Sequence, residues 1–167
     1  MNNPDPISSK ILLQMLNVHH IRYKLYQHKP LHTVEDAKSI RSDLQGNEGQ
    51  IKNLFVKNKK GKMWLLTLHE DKKIDLKKTA IALGAGRFSF CSAEHLMQYL
   101  GVIPGAVSPL GLVNDHQKEV TFYIDKTLLD STFIDVHPLD NRMTVRLSTQ
   151  DMLEFLKSSG HEYHVFE

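Results

Sequence analysis

Two apolar runs, Ile51–Val56 and Met63–Leu68, flank the polar stretch Lys57-Asn58-Lys59-Lys60-Gly61-Lys62 and limit the possible folds more than any other feature. Runs this short, rich in Leu, Phe and Val and split by a glycine-containing turn, read as a β-hairpin. Asn58 and Gly61 are the residues able to take the positive φ that such a turn needs. A hairpin makes part of the sheet antiparallel, which argues against a doubly wound parallel sheet.

The rest of the chain mixes both periods. Asp5-Pro6 opens a predicted helix in which Ile7, Ile11, Leu12, Met15 and Leu16 recur at helical spacing. Arg22 to Gln27 alternates as a strand does. Thr33 and Asp36 resemble a helix cap, and Val34, Ala37, Ile40 and Leu44 give the following helix one apolar face. Further helices are predicted from Asp75 to Leu83, ended by Gly84, and from the Ser92 cap to Leu100, with Gly101 at its end. Short strands are expected over Arg87–Phe90, Val120–Ile124, Phe133–Val136 and Thr144–Leu147. Ser148 caps a last helix to Ser159, and His164–Phe166 reads as an edge strand. Without regular alternation of strand and helix, the expectation is an α+β (mixed α/β) fold with a mixed, mostly antiparallel sheet and helices packed around it.

Length and composition set the outer bounds. A chain of 167 residues suits a single domain, over residues 1–167, with a core large enough to need no disulfide or structural metal. No apolar run reaches the roughly 18 residues of a membrane span, so no membrane partner is expected. The first ten residues lack the pattern of a secretory signal, and the single cysteine, Cys91, fits a reducing cytoplasm. Net charge is only +2, but it is unevenly spread. Lys52 to Lys78 holds nine lysines against three acids, whereas Pro104 to the C-terminus holds five basic and ten acidic residues. Such a field could steer a polyanion to one side, although a lysine run often does no more than solvate a hairpin tip.

Three places carry candidate chemistry. Lys52 opens an otherwise apolar strand, where its ammonium must be solvated or paired; a strand-edge lysine with its head in water is the plainer reading. Gly101 to Gly111 packs three glycines and two prolines into eleven residues. Glycine lets a ligand approach the backbone, and successive N–H groups in such a turn can receive an oxyanion or ester carbonyl; a helix C-cap and tight turn need the same residues. His137, in His137-Pro138-Leu139-Asp140-Asn141, ends a strand and could orient a water or bond a ribose hydroxyl. His28/His32 and His161/His164 lack partners at metal-ligand spacing, Cys91 lacks an evident base, and no phosphate-binding glycine loop or GxSxG elbow is present.

Taken together, residues 52–61 (KNLFVKNKKG), 101–115 (GVIPGAVSPLGLVND) and 137–141 (HPLDN) resemble the signature segments of the YbaK/prolyl-tRNA-synthetase-associated domain family. Its free-standing alanyl-tRNA(Pro) deacylases, or prolyl-tRNA editing proteins, are the most similar group. Shorter agreements lie at His28–Ala37, Lys73–Lys77 and Phe155-Leu156 with Gly160-His161, so the resemblance covers nearly the whole chain from about Ile21. It implies a single curved-sheet editing domain that hydrolyses the ester of mischarged tRNA(Pro), most simply Ala-tRNA(Pro), with no cofactor and no metal. A deacylase for another small residue such as cysteine, or a non-catalytic tRNA-binding module, is the alternative.

By position, the family's essential lysine falls on Lys52, which the resemblance assigns to holding the terminal ribose or phosphate. Gly101, Pro104 and Gly105 fall on the loop whose backbone lines the reaction centre. Ser108, Asn114 and His137 fall on polar positions that place the terminal adenosine or the attacking water. Arg142-Met143 departs from the family pattern, in which smaller residues are expected. Lys57, Lys59, Lys60 and Lys62 are the expected contacts to the tRNA backbone, and prolyl-tRNA synthetase is the transient protein partner that such a role implies.

Overall fold

The runs on either side of the lysine-rich turn pair as the hairpin pattern requires: β2 (Ile51–Lys57) lies antiparallel to β3 (Met63–His69), from Ile51 opposite His69 to Lys57 opposite Met63. The computed structural model to which this belongs describes residues 4–30 and 49–167; the helix expected around Thr33, Asp36 and Leu44 lies outside them. Only Gly61 takes positive φ in the turn (82°). Asn58 serves it differently, its side-chain Oδ1 accepting from the backbone N–H groups of Lys60 and Lys62 at 3.1 and 3.0 Å.

Continuous apolar character makes β3 a central strand, buried on both faces. Its other edge pairs in parallel with β5 (Val120–Asp125), which pairs in parallel with β8 (Tyr163–Phe166). Two-residue β4 (Ser89–Phe90) joins β2 only at Val56 and Lys57, giving the order β4-β2-β3-β5-β8. A second, antiparallel sheet runs β1 (Tyr23–Gln27), β7 (Met143–Ser148), β6 (Phe133–Val136). The expected α+β mixture of a mostly antiparallel, mixed sheet with helices is present, its strands divided between two sheets. They meet where the Asp135 N–H donates to the Gly49 carbonyl at 3.0 Å. Only glycine allows that approach, since a Cβ on Gly49 would stand 2.5 Å from the Phe133 carbonyl oxygen.

The main core fills the space between the sheets. Phe55, Leu65, Phe122 and Ile124 face Ile134, Val145 and Leu147, closed by Leu12 and Leu16 of α1 (Ser9–Val18) and by Met152 and Phe155 of α5 (Thr149–Ser158). On the far face of the larger sheet, Val56, Trp64, Leu66 and Leu68 pack against Ala80 of α2 (Leu76–Ala82). Ser8, not the Asp5-Pro6 pair, caps α1; Pro6 and Ile7 instead lie against the loop that begins at Gly101. The helix capped by Ser92 starts as α3 (Ala93–His95) and widens into a π-helical turn, Leu96–Leu100. Short α4 (Lys126–Leu129), capped by Asp125, has too few residues to show a period in the sequence.

Candidate active site

The start of β2 is tied to the glycine loop through Asn53 and, through Gln50 just ahead of it, to β6. Gln50 donates through Nε2 to the Asp135 carboxylate of β6, whose other contacts are the Nε and Nη2 of Arg146 at 2.8 and 2.9 Å. Asn53 reaches the other way. Its Nδ2 donates to the Val107 carbonyl at 3.2 Å, and its Oδ1 accepts from the buried Thr67 hydroxyl at 2.6 Å. Because the Val107 carbonyl can only accept, the amide nitrogen of Asn53 faces the loop and its oxygen faces Thr67.

Lys52 sits between these contacts on the opposite face. It stands across from Leu68 in the ladder, so its side chain shares the face of Leu54 and Val56, while Asn53 shares that of Phe55. The structure therefore brings Asn53, not the Lys52 ammonium, into direct contact with the glycine loop. Because β4 covers β2 only at Val56 and Lys57, the strand edge at residues 51–54 is not occupied by another strand among the described residues.

The loop itself is held by its own polar residues. Gly101 ends the π-helical turn in the left-handed region (φ 66°), and Asn114 Nδ2 donates to the Leu100 carbonyl at 3.1 Å beside it. Asn114 Oδ1 accepts from the Ile7 N–H at 2.9 Å. Buried Ser108 caps the 3-10 helix Pro109–Asn114, its hydroxyl accepting from the Leu110 N–H at 3.1 Å. Between these anchors Ile103 and Pro104 are exposed, and Gly105 (φ 91°) turns the chain so that the Ala106 N–H donates to the Ile103 carbonyl at 3.0 Å. Ser108 and Asn114 are thus engaged in shaping the loop. Polar residue type suggested ligand contact; their bonding is to backbone.

His137 follows Asp135 by two residues, about 7 Å along the strand. Its Nδ1 lies 2.7 Å from the Met143 carbonyl, which can only accept, so Nδ1 carries the proton and Nε2 keeps its lone pair in the neutral ring. Burial lowers the pKa below the ordinary histidine value. The Met143 bond opposes this, the nearby His28 adds to it, and Asp140 opposes it. His28 has the same tautomer: Nδ1 donates to the Lys29 carbonyl at 2.7 Å and Nε2 accepts from the Thr144 hydroxyl at 2.8 Å, with ring centres 6.2 Å apart. Arg142 turns away, exposed and forked onto Asp140 at 2.7 and 3.0 Å, so its bulk is not stacked on His137.

The four turn lysines separate. Lys57 and Lys59 line a groove beside β4, Lys60 is exposed, and Lys62 lies over the Trp64 ring at 5.2 Å from its centre. Cys91 is half-buried, its thiol pushed up to about 11 by burial against a smaller opposing pull from Lys57. Among the described residues no three His, Cys, Asp or Glu side chains cluster to hold a metal, and no helix is long and apolar enough to cross a membrane. His32 lies outside the described residues. Asn53, Gln50, His28 and Asp135 are the site-forming residues that sequence reasoning missed. Two of them had a signal: Asn53, as a polar residue inside an apolar strand next to Lys52, and His28, at the start of the His28–Ala37 agreement.

The model of the aminoacyl-tRNA editing domain matches residues 28–155, which contain β2, the glycine loop and His137. The chain belongs to the aminoacyl-tRNA editing domain family. It is an aminoacyl-tRNA deacylase by that membership, and two relatives narrow its neighbourhood. It is 37% identical over 148 residues to the prolyl-tRNA editing protein ProX of Acetoanaerobium sticklandii, covering 88% of this chain and 89% of that one. It is 34% identical over 147 residues to prolyl-tRNA synthetase associated domain-containing protein 1 of Bos taurus, covering 85% and 84%. In fold, the editing domain is similar to the crystal structure of a candidate trans-editing enzyme for prolyl tRNA synthetase, with a TM-score of 0.69, 19% identity and coverage of 95% and 96%.

Proposed function

We propose that this protein removes alanine from mischarged tRNA(Pro) by ester hydrolysis with a positioned water. The observation that carries the reading is the Asn53–Val107 bond, which fastens the glycine loop beside the edge of β2 at residues 51–54, where no other strand pairs among the described residues. A substrate lying along a strand edge can be reached from both faces of the strand. Lys52 from one face holds the terminal ribose or phosphate, and the Gly101–Gly105 backbone on the other receives the ester carbonyl. Lysine suits anchoring better than proton abstraction because it stays an ammonium near neutral pH.

An aminoacyl ester is already activated, so no covalent nucleophile is needed. Water adds to the carbonyl carbon, the ester C–O bond breaks, and the ribose oxygen leaves with a proton as free alanine forms. His137, with Nε2 bare, accepts a hydrogen bond from that water or from a ribose hydroxyl. Ser108 and Asn114 act by keeping the loop in shape. Since burial holds the His137 pKa down, the ring stays neutral through pH 6.5 and protonates only in more acid solution. The single-turnover rate should therefore lose its His137-dependent part below pH 6.5; an acid limb centred at or above 6.5 contradicts this role.

Alanine is the favoured substrate on physical grounds. A synthetase site built for proline cannot strongly reject a smaller residue, because missing methylenes cost only about 1–3 kcal/mol. A second site that just admits alanine excludes proline sterically, so the mischarged product of prolyl-tRNA synthetase is the expected cargo. The test is a panel of alanyl-, cysteinyl- and prolyl-tRNA(Pro). Alanine should be released at least about 100-fold faster than proline. Preferential release of cysteine would keep the chemistry and overturn the substrate.

A further inference from the structure

We propose that Thr67 is a positioning residue for the deacylation: through Asn53 it sets how closely the glycine loop stands to β2, and so how small an aminoacyl group the site admits. The inference rests on the deacylase reading above and deepens it. Thr67 carries the one hydroxyl in the run Met63–Leu68, on the strand that is buried on both faces. It is 0% exposed, and among the described residues its side chain bonds only to Asn53 Oδ1, at 2.6 Å. A valine would fill nearly the same space and suit the pleat as well. The fold alone therefore gives no reason to bury a hydroxyl here, where one left without a partner is costly.

The two partners differ in how firmly their strands are held. Thr67 pairs on both sides, with Asn53 of β2 and with Ile124 of β5, so its backbone is fixed in the middle of the larger sheet. Asn53 lies on the stretch of β2 that has no second strand beside it among the described residues. As direct ladder partners the two side chains rise from the same face, within reach of each other. With its oxygen held by Thr67, the Asn53 amide presents its nitrogen to the Val107 carbonyl at 3.2 Å. Released from Thr67, the same amide is free to bond water or nearby backbone instead.

Val107 is the point at which this hold reaches the site. Asn114 clasps the base of the loop at Leu100, and Ser108 caps the 3-10 helix that leaves it. Between them, Asn53 ties the loop to β2 two residues beyond the Gly105 turn. The backbone that receives the ester carbonyl is thus located by a chain of bonds whose far end is the fixed Thr67. Moving that wall by about 1 Å is enough to cost about 10²-fold in rate. It also opens room for a bulkier amino acid, which weakens the steric exclusion of proline.

Thr67→Val and Thr67→Ser, each alone and with Asn53→Ala, would be compared on alanyl- and prolyl-tRNA(Pro). Thr67→Val should lower kcat for alanine release about tenfold with KM changed less than about twofold, and cut the preference for alanine over proline about fivefold or more. Thr67→Ser keeps the hydroxyl and should hold both quantities within about twofold of the wild type. With Asn53 already truncated, Thr67→Val should cost no further rate, because the chain of bonds is already broken. A hydroxyl that merely supports the fold would lower Tm in Thr67→Val and leave kcat and the preference where they were. That result, a loss in Thr67→Ser equal to that in Thr67→Val, or a full separate loss in the Asn53→Ala background would each overturn the inference. If the wild type releases neither amino acid, the deacylase reading fails by itself. Amide exchange then decides the positioning role, read at the Ala106 N–H that donates to the Ile103 carbonyl. Faster exchange there in Thr67→Val, with β3 unaltered, supports it; unaltered exchange refutes it.

Discussion

Lys52→Ala should lower kcat/KM for alanyl-tRNA(Pro) by about 10²-fold, the order of loss expected when the ester is no longer anchored in its reacting geometry. The chain should remain folded. Lys52 is half-buried at the head of β2, and no core cluster includes it, so truncation leaves no cavity in the packed interior. Single-turnover deacylation alongside a thermal melt separates the two effects. Lys52→Arg is informative too: a guanidinium keeps the charge but not the compact ammonium, so it should restore only part of the rate. Activity of Lys52→Ala within about twofold of the wild type would remove this residue from the site.

Gly101→Ala should be the most damaging small change in the loop. Its φ of 66° lies in the left-handed region, and an added Cβ would stand 2.3 Å from Asn114 Nδ2 and 2.8 Å from Pro6 Cβ. Left-handed strain costs about 1–2 kcal/mol. Displacing Asn114 loosens its bonds to Leu100 and Ile7, worth about 1 kcal/mol each. The expected loss is about 3 kcal/mol, or about 6–12 °C in Tm for a chain of this size. Gly84→Ala supplies the comparison. Gly84 has a similar φ of 71° but open space around its Cβ position, so it should lose only the strain. Equal Tm values for the two variants would show that the Asn114 clasp contributes nothing.

How much of this was legible in the sequence depends on the range of the interaction. The hairpin, β6 and the helix capped by Ser148 follow from residues within a few positions of each other, and they stand within one residue of where the pattern put them. The division into two sheets does not. It turns on Gly49 meeting Phe133–Asp135, a contact between segments more than 80 residues apart that leaves no periodic trace. The same holds for the site. Lys52, the glycine loop and His137 stood out by residue type and by resemblance. Asn53, whose partner Val107 is 54 residues away, did not. Ser108 and Asn114 show a local role that residue type does not reveal. A hydroxyl and an amide in a glycine-rich loop suggest a ligand, yet here they close the loop's own backbone bonds.

The central claim is hydrolysis of an aminoacyl ester on tRNA(Pro), and the most direct measurement follows alanyl-tRNA(Pro) in ¹⁸O-labelled water with and without the purified protein. The account predicts rapid release of alanine carrying one heavy oxygen in its carboxylate, with intact tRNA that can be charged again. Alanyl-tRNA(Pro) that persists at the uncatalysed rate would contradict it.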